Sequence, residues 1–155
     1  TTTTTIGPDA YSYTTVIDAY ARSDVPRKAE RAQKVLLRMI DAHGRGNEAA
    51  RPSAYAFNAC LNACAHTLRP DEKIDAFLTA VSTILLLQRY DRPDHSTYGT
   101  FLRACSNLVP ADDERRQSLV RVVFQRCRRD GMVGRTVLEQ LRHAARPEVY
   151  RELVG

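Results

Sequence analysis

The amino-acid sequence predicts an all-α fold, a right-handed superhelix (solenoid) of helical hairpin repeats. Three observations lead to this prediction. The seven prolines, at positions 8, 26, 52, 70, 93, 110 and 147, are separated by alternating short and long intervals. A fourteen-residue segment recurs after three of them. Apolar residues within each copy lie three and four apart, as on one face of an α-helix. Because a single hairpin buries little apolar surface, such units are stable only when stacked.

The recurring segment is the predicted first helix of each hairpin. It follows Pro8, Pro52 and Pro93, and an aromatic residue stands five positions after each proline. These core aromatic residues are Tyr13, Phe57 and Tyr98, 44 and then 41 positions apart. The predicted buried faces comprise Tyr13, Val16, Ile17 and Tyr20; Phe57, Leu61 and Cys64; and Tyr98, Phe101, Leu102 and Cys105.

The second helix of each hairpin is predicted after Pro26, Pro70 and Pro110, since proline suits the first turn of a helix but not its interior. Acidic residues follow two of these prolines, where they complement the positive N-terminal end of a helix. The predicted buried faces are Ala32, Val35, Leu36, Met39 and Ile40; Ile74, Phe77, Leu78, Val81, Ile84 and Leu85; and Leu119, Val122, Val123 and Cys127.

One helical-repeat domain is therefore predicted over residues 1–155, with repeats at about 10–53, 54–94 and 95–135 and a helical cap at 136–155. The cap contains a helix near 134–144 and a last helix after Pro147. The run from Thr1 to Thr5 is expected to be a frayed end. The chain has no initiator Met, and we expect it to be a piece of a longer protein.

Composition excludes several classes of protein. A hydrophobic content of 43% with 26% charged residues is typical of a globular domain. The longest apolar run, 84–87, is far below the ~20 residues of a membrane span, so no membrane partner is expected. The four cysteines show no paired spacing, which favours reduced thiols.

Enzymatic chemistry has no sequence support. Cys60 and Cys64 share a helix face near His66, but structural zinc requires four ligands, so neither a metal nor a cofactor is predicted. There is no glycine-rich phosphate loop or nucleophile motif, and no small-molecule substrate is expected. The acidic run 112–114 is interpreted as a helix start. The chain is therefore predicted not to be an enzyme.

The units resemble the pentatricopeptide-repeat family over roughly residues 8–130. The resemblance is carried by the Pro-Asp or Pro-Ser end, the helix aromatic, the stretch 15–20, and Asn58 directly after Phe57. Residues 10–22 match best, followed by 93–105. The units are 44 and 41 residues long, whereas the family's are about 35. The family implies a tetratricopeptide-like superhelix; the Trp of tetratricopeptide repeats themselves is absent.

The resemblance implies sequence-directed binding of single-stranded RNA, one base per repeat. It also implies organellar RNA processing, stability or translation in a mitochondrion or plastid, although this chain shows no targeting segment. The implied base-reading pairs are Thr14 with Ser53, and Asn58 with Asp94, the second favouring pyrimidines and uridine in particular. Gly99, which has no side chain for reading, would pair with Arg135. The implied base-stacking residues are Tyr11, Tyr55 and Ser96.

Alternatives remain open at the sequence level. Tyr11 and Tyr55 could instead pack between repeats, and Asp94 could simply cap a helix. Six arginines could contact phosphates or form a solvated helix face; they are Arg115, Arg116, Arg121, Arg126, Arg128 and Arg129. The surplus of five positive charges is thin along the whole chain and largest at its C-terminal end. A protein–protein interaction scaffold is therefore the alternative function, since helical solenoids also present extended binding surfaces.

Overall fold

The computed structural model describes residues 7–155, and all of its regular structure is helical. The predicted frayed end at 1–5 lies outside the described residues. The eight α-helices are α1 (Ala10–Arg22), α2 (Lys28–Gly44), α3 (Ala54–Ala65), α4 (Lys73–Leu87), α5 (His95–Leu108), α6 (Glu114–Arg129), α7 (Arg135–Ala144) and α8 (Pro147–Val154). Short 3-10 turns at Glu48–Ala50 and Pro70–Glu72 precede α3 and α4.

The helices pack in two layers. Helices α1, α3, α5 and α7 are neighbours in sequence order and form the first layer. The even-numbered helices lie behind them, each against its hairpin partner, and α2 packs on α4 and α6 on α8. The predicted helical hairpins are thus present, and the predicted all-α class is confirmed.

Local sequence explains where the helices begin. Asp9 accepts a hydrogen bond from the Ser12 backbone N–H at 2.8 Å, which caps α1. Asp94 and Thr97 form a reciprocal capping box at the start of α5. Pro147 occupies the first turn of α8. After Pro26 and Pro110, by contrast, a short turn intervenes before the helix, so these two prolines lie before the helices rather than within their first turns.

Arginine 27 holds the turn between α1 and α2. It has a left-handed backbone (φ 57°), which residues other than Gly, Asn and Asp seldom adopt. Its backbone N–H donates to Glu72 Oε2 at 2.9 Å, and its guanidinium donates to Glu30. The first hairpin is thereby tied to the start of α4.

The core was only partly predicted from the sequence. Phe57 and Tyr98 are buried as expected, while Tyr13 is half-buried. The core comprises two clusters, one around Leu36, Met39 and Phe57, the other around Phe101 and Phe124. Five residues expected in the core are exposed instead: Val16, Ile74, Leu78, Leu85 and Val122.

Most of the residues wrongly expected in the core lie on α4. Its buried face carries small and hydroxyl residues, namely Ala76, Thr79, Ala80 and Thr83. Small side chains let α4 approach α3 and α2 closely, and Thr83 donates its hydroxyl to the Thr79 carbonyl at 2.7 Å. Of the larger apolar residues, Ile84 and Leu87 are buried at the end of the helix, whereas Ile74, Leu78 and Leu85, spaced just as helically, are exposed. Periodicity alone does not indicate which of two apolar faces is buried.

Candidate functional site

The clearest candidate site is a cavity of about 350 Å³ between α1 and α3. Four of the residues singled out in the sequence line it: Tyr11, Thr14, Ser53 and Tyr55. The two tyrosines are 79% and 67% exposed. A buried packing role for them is therefore wrong. Asp18 and Arg22 line the same cavity further along α1.

Hydroxyl groups form the inner wall of this cavity. Thr14 is buried and donates its hydroxyl to the Ala10 carbonyl at 2.8 Å, so its oxygen retains capacity to accept. Ser53 precedes α3 without capping it through its side chain. The Asp91 carboxylate accepts from the Ala54 N–H at 2.9 Å and takes over that capping role. Ser53 itself lines the cavity.

The equivalent junction between α3 and α5 contains a hydrogen-bonded triad. Asn58 donates from Nδ2 to Asp94 Oδ1 at 3.1 Å, and Thr97 donates its hydroxyl to Asn58 Oδ1 at 2.7 Å. An amide has two N–H groups and two lone pairs on its oxygen. One N–H and one lone pair of Asn58 remain for a ligand, and the triad fixes their direction.

The same triad sets the ionisation of Asp94. Burial acts to raise the pKa of this carboxyl group, but hydrogen bonds from Thr97 and Asn58 outweigh burial and hold the pKa below its ordinary value. Asp94 is therefore an anion near neutral pH. Asp94 caps α5, as the alternative interpretation from the sequence has it, and at the same time accepts a hydrogen bond from Asn58.

The third junction differs from the first two. Gly99 is buried against α7, and a Cβ there would meet Thr136 Cγ2 at 3.8 Å. Thr136 thus covers the position where a reading side chain would project. Ser96 is exposed one turn earlier. Arg135 is also exposed and pairs with Glu139 at 3.5 Å, so it is not brought against Gly99 by any contact that the structure records.

The outward strips of α1, α3 and α5 carry little charge. One acidic and two basic side chains lie among hydroxyl, amide and aromatic groups. The strips are Tyr11, Thr15, Asp18 and Arg22 on α1; Tyr55, Asn58, Asn62 and His66 on α3; and Ser96, Thr100, Arg103 and Asn107 on α5. This layer therefore presents hydrogen-bonding and stacking groups rather than a strongly positive groove.

The six candidate phosphate-binding arginines lie on α6, in the other layer. One of them is corrected outright. Arg116 is 6% exposed, and its guanidinium donates to the carbonyls of Val109, His143 and Ala144 at 2.7–2.8 Å. A guanidinium that is buried and hydrogen-bonded in this way holds the ends of α5 and α7 together instead of contacting a phosphate.

The other five arginines are at least partly accessible, but four have protein partners. Arg115 pairs with Asp113 at 2.8 Å, Arg121 with Glu152 at 2.8 Å, and Arg126 donates to Gln88 at 3.2 Å. Arg128 donates to the Leu153 carbonyl and stacks on Phe124. Arg129 is exposed at the end of α6. The structure does not bring these arginines together with the base-reading candidates.

Two neighbours of the candidate residues were missed from the sequence. Thr97 completes the Asn58–Asp94 triad, and the Asp-x-x-Thr spacing of a capping box is the signal that predicts it. Thr136 covers Gly99, and no local pattern could indicate this because the contact depends on how closely α7 approaches α5.

The cysteines are buried as free thiols at positions 60, 64, 105 and 127. Within residues 7–155, no group of three or more potential metal ligands comes together. None of the described helices is both long and apolar enough to cross a membrane.

No model of a known protein family matches the chain, and no curated protein or solved structure matches it significantly.

Proposed function

We propose that this chain is a pentatricopeptide-like solenoid segment that binds single-stranded RNA along α1, α3 and α5 of the first layer. The observation that carries the proposal is the repeated junction between successive odd-numbered helices. At two junctions, the residue one turn into the first helix meets the N-terminus of the next. Thr14 and Ser53 line one cavity, and Asn58 bonds directly to Asp94.

The chemistry of each junction suits a nucleobase. Tyr11 and Tyr55 flank the first cavity with exposed rings, and stacking of a base on an aromatic ring contributes ~1–3 kcal/mol. At the second junction the free N–H and free lone pair of Asn58 match the acceptor and donor on the Watson–Crick edge of a pyrimidine. Tyr55 would flank that base on one side and Ser96 on the other.

The two junctions that carry side chains able to bind a base would contact two bases. The junction at Gly99 would contact no further base. Specific recognition then requires further repeats or a partner. We propose that the parent protein supports organellar RNA processing, stability or translation, as the pentatricopeptide resemblance implies.

One observation favours the alternative of a protein-binding scaffold. The outward strips of α1, α3 and α5 have a net charge of one positive unit. Nucleic-acid sites commonly neutralise several phosphates. Few charges together with exposed tyrosines are also typical of the centre of a protein interface.

The test of the RNA proposal is a substitution that changes base preference. Labelled homopolymers of about ten nucleotides, oligo(U), oligo(C) and oligo(A), are titrated with the chain at low salt by fluorescence anisotropy. Asn58→Thr removes the amide, and the preference for oligo(U) over oligo(A) should fall by about fivefold or more, because a good base contact discriminates by ~1–3 kcal/mol. Asn62→Thr, on the same strip one turn later, is the matched control.

The outcomes separate the two functions. Unchanged base preference in Asn58→Thr would remove this residue as a reader. If the unmodified chain binds none of the homopolymers, the RNA proposal is rejected and the scaffold function is favoured. The salt dependence is expected to be shallow, about −1.4 in log–log slope for two cations, Arg22 and Arg103, on single-stranded RNA.

A further inference from the structure

The layer of even-numbered helices is interrupted between α4 and α6. Helix α2 packs on α4 and α6 packs on α8, but no Cα atom of α4 lies within 8 Å of one in α6. Both helices instead rest on α5, which forms the floor of the gap. At one end the gap is bridged by Arg126 and Gln88, whose side chains hydrogen-bond at 3.2 Å. The result is a groove bounded by two helices.

Helix α4 turns an apolar stripe towards this groove and the solvent. Ile74, Leu78 and Leu85 are 74%, 60% and 59% exposed, and Phe77 and Val81 are partly buried between them. The stripe spans three turns, about 16 Å at 1.5 Å per residue. Solvent-facing helices usually carry charge there. On α2, the equivalent outward face is basic, with Arg31, Lys34 and Arg38 lining one shallow cavity.

The opposite wall and the floor are also apolar. On α6, Leu119 is partly buried and Val122 is 61% exposed. Leu108 and Val109 line the floor, together with Pro110. The enclosed part of the groove has a volume of about 450 Å³, in the range of ligand-binding clefts. Contiguous exposed apolar surface of this kind marks an interaction site.

The ring of Phe77 shows that the groove continues the core. It contacts the buried ring of Phe101 with centroids 6.4 Å apart. An apolar side chain placed in the groove would therefore contact the main hydrophobic cluster of the domain through Phe77.

The charged groups around the groove are mainly cationic. Arg126 stands at the bridged end, and Arg115 at the other end is paired with Asp113. Asp75, the acidic residue of α4, is exposed and does not line the enclosed part of the groove.

We propose that the groove between α4 and α6 binds an amphipathic helix of a partner protein, with an apolar stripe flanked by acidic residues. Two helical walls and a stripe at helical spacing suit a helix that inserts anchors at i, i+4, i+7 and i+11. Acidic flanks complement Arg126 and the unbalanced positive charge of the chain. A second copy of this chain is a poorer occupant, since each copy carries five net positive charges.

The test uses three peptides of about sixteen residues with leucine at the four anchor positions and Glu, Gln or Lys on the flanks. Titration of the whole chain should show the Glu peptide binding about tenfold or more tighter than the Lys peptide. Leu78→Asp should weaken the Glu peptide about thirtyfold. Leu37→Asp, the same change at an exposed site on α2, should leave affinity within about twofold. Arg126→Glu should reverse the order of the Glu and Lys peptides.

Circular dichroism shows whether each variant is folded. If Leu78→Asp does not fold, Arg126→Glu tests the groove independently. Equal losses in Leu78→Asp and Leu37→Asp, or equal affinity for all three peptides, would overturn the proposal. So would failure of all three peptides to bind. A dimer of the chain alone that Leu78→Asp abolishes would identify a second copy as the occupant and overturn it as well.

Discussion

Arg116 is expected to contribute more to the stability of the fold than any other arginine, whereas its neighbour Arg115 is expected to contribute little. The Arg116 guanidinium lies where two helices end, α5 near Val109 and α7 near Ala144. It donates to the carbonyls of Val109, Ala144 and His143 at 2.7, 2.8 and 2.8 Å. Burial lowers the pKa of Arg116, but an arginine remains charged in any case.

The structure allows the cost of Arg116→Ala to be estimated. Only the Ala144 carbonyl has another side-chain donor, Gln117 Nε2 at 3.4 Å. The carbonyls of Val109 and His143 would lose their side-chain donor, at ~1–3 kcal/mol for each group left unsatisfied. Two helix C-termini would also lose a cation, at ~0.3–1 kcal/mol each. We expect the unfolding free energy to fall by about 3–8 kcal/mol, a large part of the ~5–15 kcal/mol typical of a domain.

Urea denaturation followed by circular dichroism measures this loss, with the slope against urea concentration checking that the transition is unchanged. Arg115→Ala is the matched control. Its side chain is 90% exposed and paired only with Asp113, so ~0–1 kcal/mol is expected. Similar losses in the two variants would refute the reasoning. Arg116→Lys should not restore stability, because one ammonium cannot reproduce the planar array of donors.

Three further predictions follow from the site and the core. Ser96→Tyr should tighten binding of oligo(U) about fivefold or more in the anisotropy titration by supplying a second ring opposite Tyr55, and unchanged affinity would remove Ser96 from the stacking positions. The pKa of Asp94 is lowered in the fold, since the hydrogen bonds outweigh burial. Its stabilising contribution is therefore present above the ordinary Asp pKa of 3.8 and is lost as the pH falls through the lowered pKa of the folded state. The unfolding free energy of Asp94→Asn should thus vary less with pH in acid than that of the parent. Burial raises the pKa of Cys105 to about 12 and of Cys127 to about 11, so a thiol reagent should modify neither in the native chain and both in urea; modification under native conditions would contradict their burial.

The hairpins could be predicted from the sequence because their determinants are local. Capping residues such as Asp9 and Asp94, together with period-3.6 apolar faces, specify a helix without reference to its neighbours. The packing of α4 could not be predicted in this way. Two faces of α4 carry apolar residues at helical spacing. Which face is buried depends on the small residues Ala76 and Ala80, which fit close to the neighbouring helices. That choice is a property of tertiary packing.

The candidate site likewise has features that could be predicted from the sequence and features that depend on tertiary packing. The pairing of Asn58 with Asp94 was implied by the resemblance to pentatricopeptide repeats, and in the structure their side chains are hydrogen-bonded at 3.1 Å. The covering of Gly99 by Thr136 and the internal role of Arg116 depend on contacts between distant segments. Neither has a sequence pattern, and both reduce the set of groups available to a ligand.

The distribution of charge changes how the surplus of five positive charges should be interpreted. The six arginines of α6 lie in the layer behind the candidate base-reading helices. Arg116 among them is buried and bonded within the fold. RNA lying along α1, α3 and α5 would therefore gain little from counterion release and would depend on stacking and directed hydrogen bonds. Apolar side chains concentrate instead on α4 and α6, where binding would depend on burial of hydrophobic surface. The two layers offer different chemistry, so an RNA on one and a protein helix on the other would not compete.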